Sequence, residues 1–197
     1  MHAEPHRKID HSRDSEFPLL PRLIATSLGV GYIPKAPGTW GAILGIILWL
    51  PLYLWTSPIV SLTVTLVATI ALTVAGTWAS NVSEKYWGKD PVIACVDETV
   101  GQWLSLAPVM AVSISPWWEI LLSLALFRFF DIYKPLGIRA MEKLPGGYGM
   151  MADDLLAGFY SALIILAINY FWIWQYKILK RPQNPLATLC KTEFIVS

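Results

Sequence analysis

Five acids stand where apolar and polar stretches of this chain meet: Asp97 and Glu98 ahead of one apolar stretch, Asp131 at the end of the next, Asp153 and Asp154 ahead of the last. If each stretch is a helix, three helix ends can converge and bring these carboxylates together. Packed that way they repel one another unless cations sit between them. The three histidines, His2, His6 and His11, all lie in the N-terminal arm, so the candidate ligands Asp97, Glu98, Asp131, Asp153 and Asp154 form an all-oxygen set. Such a set suits a hard cation, Mg2+ or Mn2+, better than zinc or copper. An acid in a first helical turn also gains about 0.3 to 1 kcal/mol from the helix dipole whatever else it does, which gives Asp97 and Asp153 a purely structural reading. Asp131 has no such reading, because the dipole disfavours an acid at a helix C-terminus. Its partner is a cation or a base, and Arg128 and Lys134, three residues to either side, have the helical spacing to be that base.

Lys134, Arg139 and Lys143 follow closely. Lysine binds phosphate oxygens as a point charge and arginine as a fork, so a phosphorylated substrate fits beside the acids. Lys134, Arg139, Arg128 and Thr39 are the substrate-binding candidates. The run Gly146-Gly147-Tyr148-Gly149 reads either as a plain flexible loop or as backbone N–H groups that approach an anion before a helix start. Other phosphoryl chemistries lack their residues. Cys95 is followed six positions later by Gly101 and not by arginine, no Asp-x-Asp nucleophile motif or Walker loop occurs, and no histidine lies outside the arm. Metal-activated water attacking a phosphomonoester is what remains.

The elements that must hold these residues are apolar. Hydrophobic residues make up 55% of the chain and mean hydropathy is +0.50, and the apolar residues come in blocks with few charges, which is the pattern of a membrane protein. A net charge of +1 gives no general pull toward nucleic acid. Cys95 and Cys190 show no disulfide or metal spacing and are expected as free thiols. Residues 1–18 form a polar N-terminal arm, too long before any apolar core to be a secretory signal. Residues 19–32 fit a short interfacial helix with Arg22 on its polar side. Pro37 and Gly38 make a turn, and Thr39 is placed to cap a helix over residues 40–55, with a Trp at each end. That helix is roughly 24 Å long, slightly short of a bilayer core of about 30 Å. A turn at residues 56–58 and a span over residues 59–78 complete a first hairpin. Residues 103–127 hold Pro108, Pro116 and a single acid, Glu119. They are either one crossing of about 37 Å or two short helices near 99–114 and 117–130. A last span covers residues 155–174, with aromatic residues crowding its far end.

Four stretches together have a resemblance: GYIPKAPGTWG at residues 31–41, VDETVGQW at 96–103, FRFFDIYKP at 127–135 and GGYGMMADDLLAG at 146–158. In this order, over residues 20–176, the chain resembles the phosphatidylglycerophosphatase A family. The resemblance implies a bacterial inner-membrane, Mg2+-dependent enzyme that removes the terminal phosphate of phosphatidylglycerophosphate to give phosphatidylglycerol, a step toward cardiolipin as well. It also implies that Asp97, Glu98, Asp131, Asp153 and Asp154 are metal-binding or catalytic, with Asp97, Glu98, Asp131 and Asp154 in the catalytic set, and that Lys134 contacts phosphate. A lipid substrate made on the cytoplasmic leaflet puts every motif on the cytoplasmic side, which favours two short helices over 99–130.

The expected fold is all-α, a polytopic membrane helical bundle with about four apolar helices, two of them short and forming a hairpin that could be re-entrant. Its parts are the arm 1–18, a membrane-embedded lipid phosphatase domain 19–176 and a basic tail 177–197. Partners are the phosphatidylglycerophosphate substrate and membrane lipids, with no nucleic acid. The alternative class is a small divalent-cation or anion transporter, against which stands the placement of the acids at helix ends and not at mid-bilayer.

Overall fold

The computed structural model describes residues 16–112 and 116–179. Among them the secondary structure is helical throughout, as expected. The elements are α1 (Leu19–Ala25), a 3-10 turn (Val30–Tyr32), α2 (Pro37–Trp55), α3 (Pro58–Trp87), α4 (Val96–Val112), α5 (Pro116–Tyr133), α6 (Ile138–Met141) and α7 (Gly147–Leu179). Three of them, α2, α3 and α7, are long and apolar enough to cross a membrane, and α4 and α5 are the two shorter helices. The polar arm and its histidines, Cys190 and the tail beyond residue 179 lie outside the described residues.

Several boundaries differ from the sequence reading, each for a local reason. Residues 19–32 are not one helix: Ser27, Leu28 and Gly29 take positive φ angles of 45°, 60° and 95° and break it. Phe17 anchors this segment, stacked on Tyr86 at 4.8 Å and edge-on to Trp87 at 4.6 Å at the end of α3. Helix α2 begins at Pro37, which needs no N–H there, after Ala36 at φ 51°. Thr39 therefore lies inside the first turn, and no side chain caps the helix. Helix α3 continues to Trp87, so Asn81, Glu84 and Lys85 are helical and not in a loop. The last helix starts at Gly147, not near residue 155, and runs to Leu179.

Faces in this bundle are marked by side-chain size more than by polarity. On α3 the buried positions include Ser61, Thr65, Thr69, Gly76, Thr77, Ser80 and Ser83, and Thr69, Thr73 and Thr77 each return their hydroxyl to the carbonyl four residues earlier at 2.7 Å. Large residues such as Ile59, Val67, Ile70 and Val74 point outward. Lipid is as apolar as a protein core, so close approach of small residues, and not hydrophobicity, holds such helices together.

Helix α4 is the axis of the bundle and packs on α2, α3, α5 and α7. Side-chain hydrogen bonds fix its register. The Thr99 hydroxyl donates to the Gly41 carbonyl at 3.0 Å, and the Trp103 indole N–H donates to the Gly45 carbonyl at 2.7 Å. On its other side the Gln102 amide donates to the Ser123 hydroxyl on α5 at 2.9 Å. Chain direction alternates, so the starts of α2, α4 and α7 and the ends of α3 and α5 meet at one end of the bundle. This is the two-short-helix arrangement of residues 99–130.

Candidate active site at the membrane edge

At that end lies a cavity of about 420 Å³, within the usual range for a small-molecule site. Eight carboxylates line it (Glu84, Asp90, Asp97, Glu98, Asp131, Glu142, Asp153 and Asp154) and three cations (Lys89, Arg128 and Lys134). Such an excess of negative charge is relieved by further cations close by or by protonation.

The acids are brought together by a helix crossing. Asp97 and Asp154 are each followed four residues later by a glycine, Gly101 on α4 and Gly158 on α7. A Cβ on Gly158 would fall 2.3 Å from the Gly101 carbonyl oxygen, and one on Gly101 would fall 2.7 Å from the Asp154 carbonyl oxygen and 2.5 Å from the Phe127 ring. The two backbones touch there, and one turn before the contact the acids face each other. One carboxylate oxygen each from Asp97, Glu98 and Asp154 lies within 4.8 Å of the others. Asp97 and Asp154 are buried, and Glu98 Oε2 and Asp154 Oδ2 are buried oxygens with no hydrogen-bond partner. Orphaned carboxylate oxygens are costly unless something positive meets them, so these residues fit a hard divalent cation.

The other two acids line the same cavity in ion pairs. Asp131 Oδ2 is 2.6 Å from Arg128 NH1, the i−3 partner allowed by spacing, and the same nitrogen is 3.8 Å from Glu98 Oε1. Asp153 Oδ2 is 2.5 Å from Lys134 Nζ, which also reaches Glu142 Oε1 at 2.7 Å. Lys134 closes α5 with φ 47°, and its N–H reaches the Phe130 carbonyl at 2.8 Å, a left-handed helix end that turns the side chain back toward α7. Burial alone would lower the Lys134 pKa, but the hydrogen bonds to Asp153 and Glu142 more than offset this and hold it above its ordinary value. Because α7 starts at Gly147, Asp153 and Asp154 sit in its second turn and do not open it, so the dipole reading no longer accounts for Asp153.

Arg128 and Lys134 thus line the cavity among the substrate-binding candidates. Thr39, half-buried in α2, and Arg139, exposed on α6, do not. The glycine run at 146–149 is not a flexible loop, and Gly146 and Gly149 line the cavity. The Gly147 N–H is taken by Asn81 Oδ1 at 2.9 Å, and the run forms the first turn of α7 against α3. Cys95, just before α4, is buried and free. Burial, with the nearby Glu98 charge, pushes its thiol up to about 12, which disfavours the thiolate that a nucleophile needs.

Sequence reasoning missed Gly38, Glu84, Lys89, Asp90 and Glu142. A Cβ on Gly38 would fall 1.9 Å from Glu98 Oε1, so the start of α2 touches the acid directly. The repeated Asp-x-x-x-Gly pattern of α4 and α7 was a readable signal for the crossing. Nothing in the sequence marks Lys89 and Asp90 as cavity residues.

The family model for phosphatidylglycerophosphatase A matches residues 23–169. A protein of Bacteroides thetaiotaomicron named "Putative phosphatidylinositol-3-phosphatase" is 48% identical over 153 residues, 77% of this chain and 94% of that one. Phosphatidylglycerophosphatase A of Haemophilus influenzae is 37% identical over 153 residues, 77% of this chain and 90% of that one. Phosphatidylglycerophosphatase A of Escherichia coli is 30% identical over 152 residues, 76% and 84% respectively. No solved structure matches the chain. With a family model over most of the chain, and an acid-lined cavity at the end of a membrane bundle to carry the chemistry, the chain belongs to the phosphatidylglycerophosphatase A family of enzymes.

Proposed function

We propose that the protein hydrolyses the terminal phosphomonoester of phosphatidylglycerophosphate, giving phosphatidylglycerol and phosphate, with Mg2+ as cofactor. The observation that carries this reading is the convergence of Asp97, Glu98 and Asp154 within 4.8 Å, two of them with orphaned oxygens, beside Arg128 and Lys134. A divalent cation held by those three acids supplies Lewis acidity toward phosphate oxygens and water. Lys134 and Arg128 meet the charge that develops on the phosphate. Asp131 faces the trio without belonging to it and accepts the proton of the attacking water as the water oxygen bonds to phosphorus. The bond from phosphorus to the glycerol oxygen breaks, that oxygen takes a proton from solvent, and Asp131 returns to solvent the proton it accepted. The diacylglycerol part stays in the bilayer, and the site opens to the cytoplasmic side of the bacterial inner membrane, where this lipid is made and its hydrolysis is a step toward phosphatidylglycerol and cardiolipin.

The test is phosphate release by purified protein in detergent. Mg2+ should be required, Glu98→Gln and Asp154→Asn should abolish turnover, and Asp131→Asn should lower kcat by about 10²- to 10⁴-fold, the usual weight of a general base. Turnover unaffected by chelation, or by Asp154→Asn, excludes this reading. The relative at 48% identity favours a second substrate, phosphatidylinositol 3-phosphate, and both lipids belong in the same assay.

A further inference from the structure

The cavity is larger than one phosphate needs. Taking about 30 Å³ per water, its roughly 420 Å³ would hold on the order of fourteen waters, so the rest of a headgroup enters as well. Both substrates considered above share one layout: a phosphomonoester and an anionic phosphodiester bridged by hydroxylated carbons. The buried end of the cavity, with Asp97 and Asp154, belongs to the monoester. A second anion needs a further cation, and two of the three cavity cations, Arg128 beside Asp131 and Lys134 beside Asp153 and Glu142, already serve the monoester in the reading above.

The third is Lys89. It is exposed and lines the cavity from the connection between α3 and α4, and among the described residues it makes no ion pair. The connection is shaped there: Asp90 takes φ 51°, and its N–H reaches Glu84 Oε1 at 3.4 Å. Glu84 lines the cavity with Lys89, and its carboxylate can accept hydrogen bonds from hydroxyls on the bridging carbons.

Resting on the hydrolase reading above, we propose that Lys89 is a specificity residue that binds the phosphodiester of the headgroup and so selects lipids with two phosphates over those with one. The test compares phosphatidylglycerophosphate, phosphatidylinositol 3-phosphate and phosphatidic acid, which has no diester, the last as substrate or as competitive inhibitor. Lys89→Gln should raise KM about five- to tenfold, the range of an exposed charge-assisted contact, for whichever two-phosphate lipid the wild type turns over, with kcat nearly unchanged. KM or Ki for phosphatidic acid should not move, and Lys89→Arg should restore the lost affinity. Lys85→Gln, exposed one turn earlier and outside the cavity, controls for general surface charge and should change nothing. Wild-type turnover with an unchanged KM in Lys89→Gln, or an equal rise for all three lipids, overturns the proposal by itself. Phosphate release from none of the lipids by wild type overturns the hydrolase reading and this one with it.

Discussion

Gly38 touches Glu98 so closely that any side chain would displace the carboxylate. Gly38→Ala should therefore move one of the three converging acids while leaving α2 intact. The expected result is a loss of turnover of about 10²-fold, the scale of a 1 Å misplacement, with little change in melting temperature in detergent. Lys134 works differently, because its removal strands the buried Asp153 charge. Lys134→Met should cost roughly 1 to 3 kcal/mol of stability, less than a fully buried pair because about a fifth of the lysine remains exposed. The sign follows from a pKa raised in the folded state. Its stabilisation is complete below the unfolded value of about 10.4 and fades only as pH rises through the higher folded value. The difference in melting temperature between wild type and Lys134→Met should accordingly stay flat from pH 7 to about pH 10. Cys95, with its thiol pushed up to about 12, should resist iodoacetamide at pH 8 in the folded Cys190→Ser protein and react on denaturation, as read by mass spectrometry.

Between elements, the decisive contact is the crossing of α4 and α7 at Gly101 and Gly158. It sets the separation of Asp97 and Asp154, because side chains one turn from a backbone contact on facing helices must meet. Gly158→Val would put its side chain into the Gly101 carbonyl and should both lower the melting temperature and abolish Mg2+-stimulated turnover. Retention of full activity would show that the acids are not positioned by this crossing. The α5 end is held independently, by Arg128 on Asp131 and by Lys134 on Asp153. Its geometry should survive changes at the far end of α4.

For the whole molecule, the alternating direction of α2, α3, α4, α5 and α7 leaves every site residue at one end and the turn between α2 and α3 at the other. With α2 at 19 residues, roughly 28 Å long, that turn and the site should lie on opposite faces of a bilayer. Single cysteines at Ser57 and Arg139, both exposed, in a Cys190→Ser background should react with an impermeant maleimide from opposite sides of sealed vesicles. Labelling of both from one side would refute this topology.

By itself the sequence determined the class of molecule and pointed to its chemistry. Blocks of apolar residues require a bilayer, and acids beside lysines and arginines at the ends of those blocks point to a hard cation and phosphate. It also pointed to a cation or a basic partner for Asp131, since the helix dipole disfavours an acid at a C-terminus. Element ends were less legible. Alanine, serine and leucine at positive φ break or start helices here at Ala36, Ser27 and Leu28, positions that carry no glycine signal, and Gly147 and Gly149 lie inside a helix because their small size suits close packing, the first on α3 and the second on the backbone at Met141, Glu142 and Leu144. Only the tertiary structure divided the five acids into three that converge and two that pair with Lys134 and Arg128. It alone placed Lys89 in the cavity lining and left Arg139 out of it. The physical reason is that charge and hydropathy act locally along the chain, whereas which oxygen remains without a partner depends on backbones meeting at Gly101 and Gly158, residues 57 positions apart.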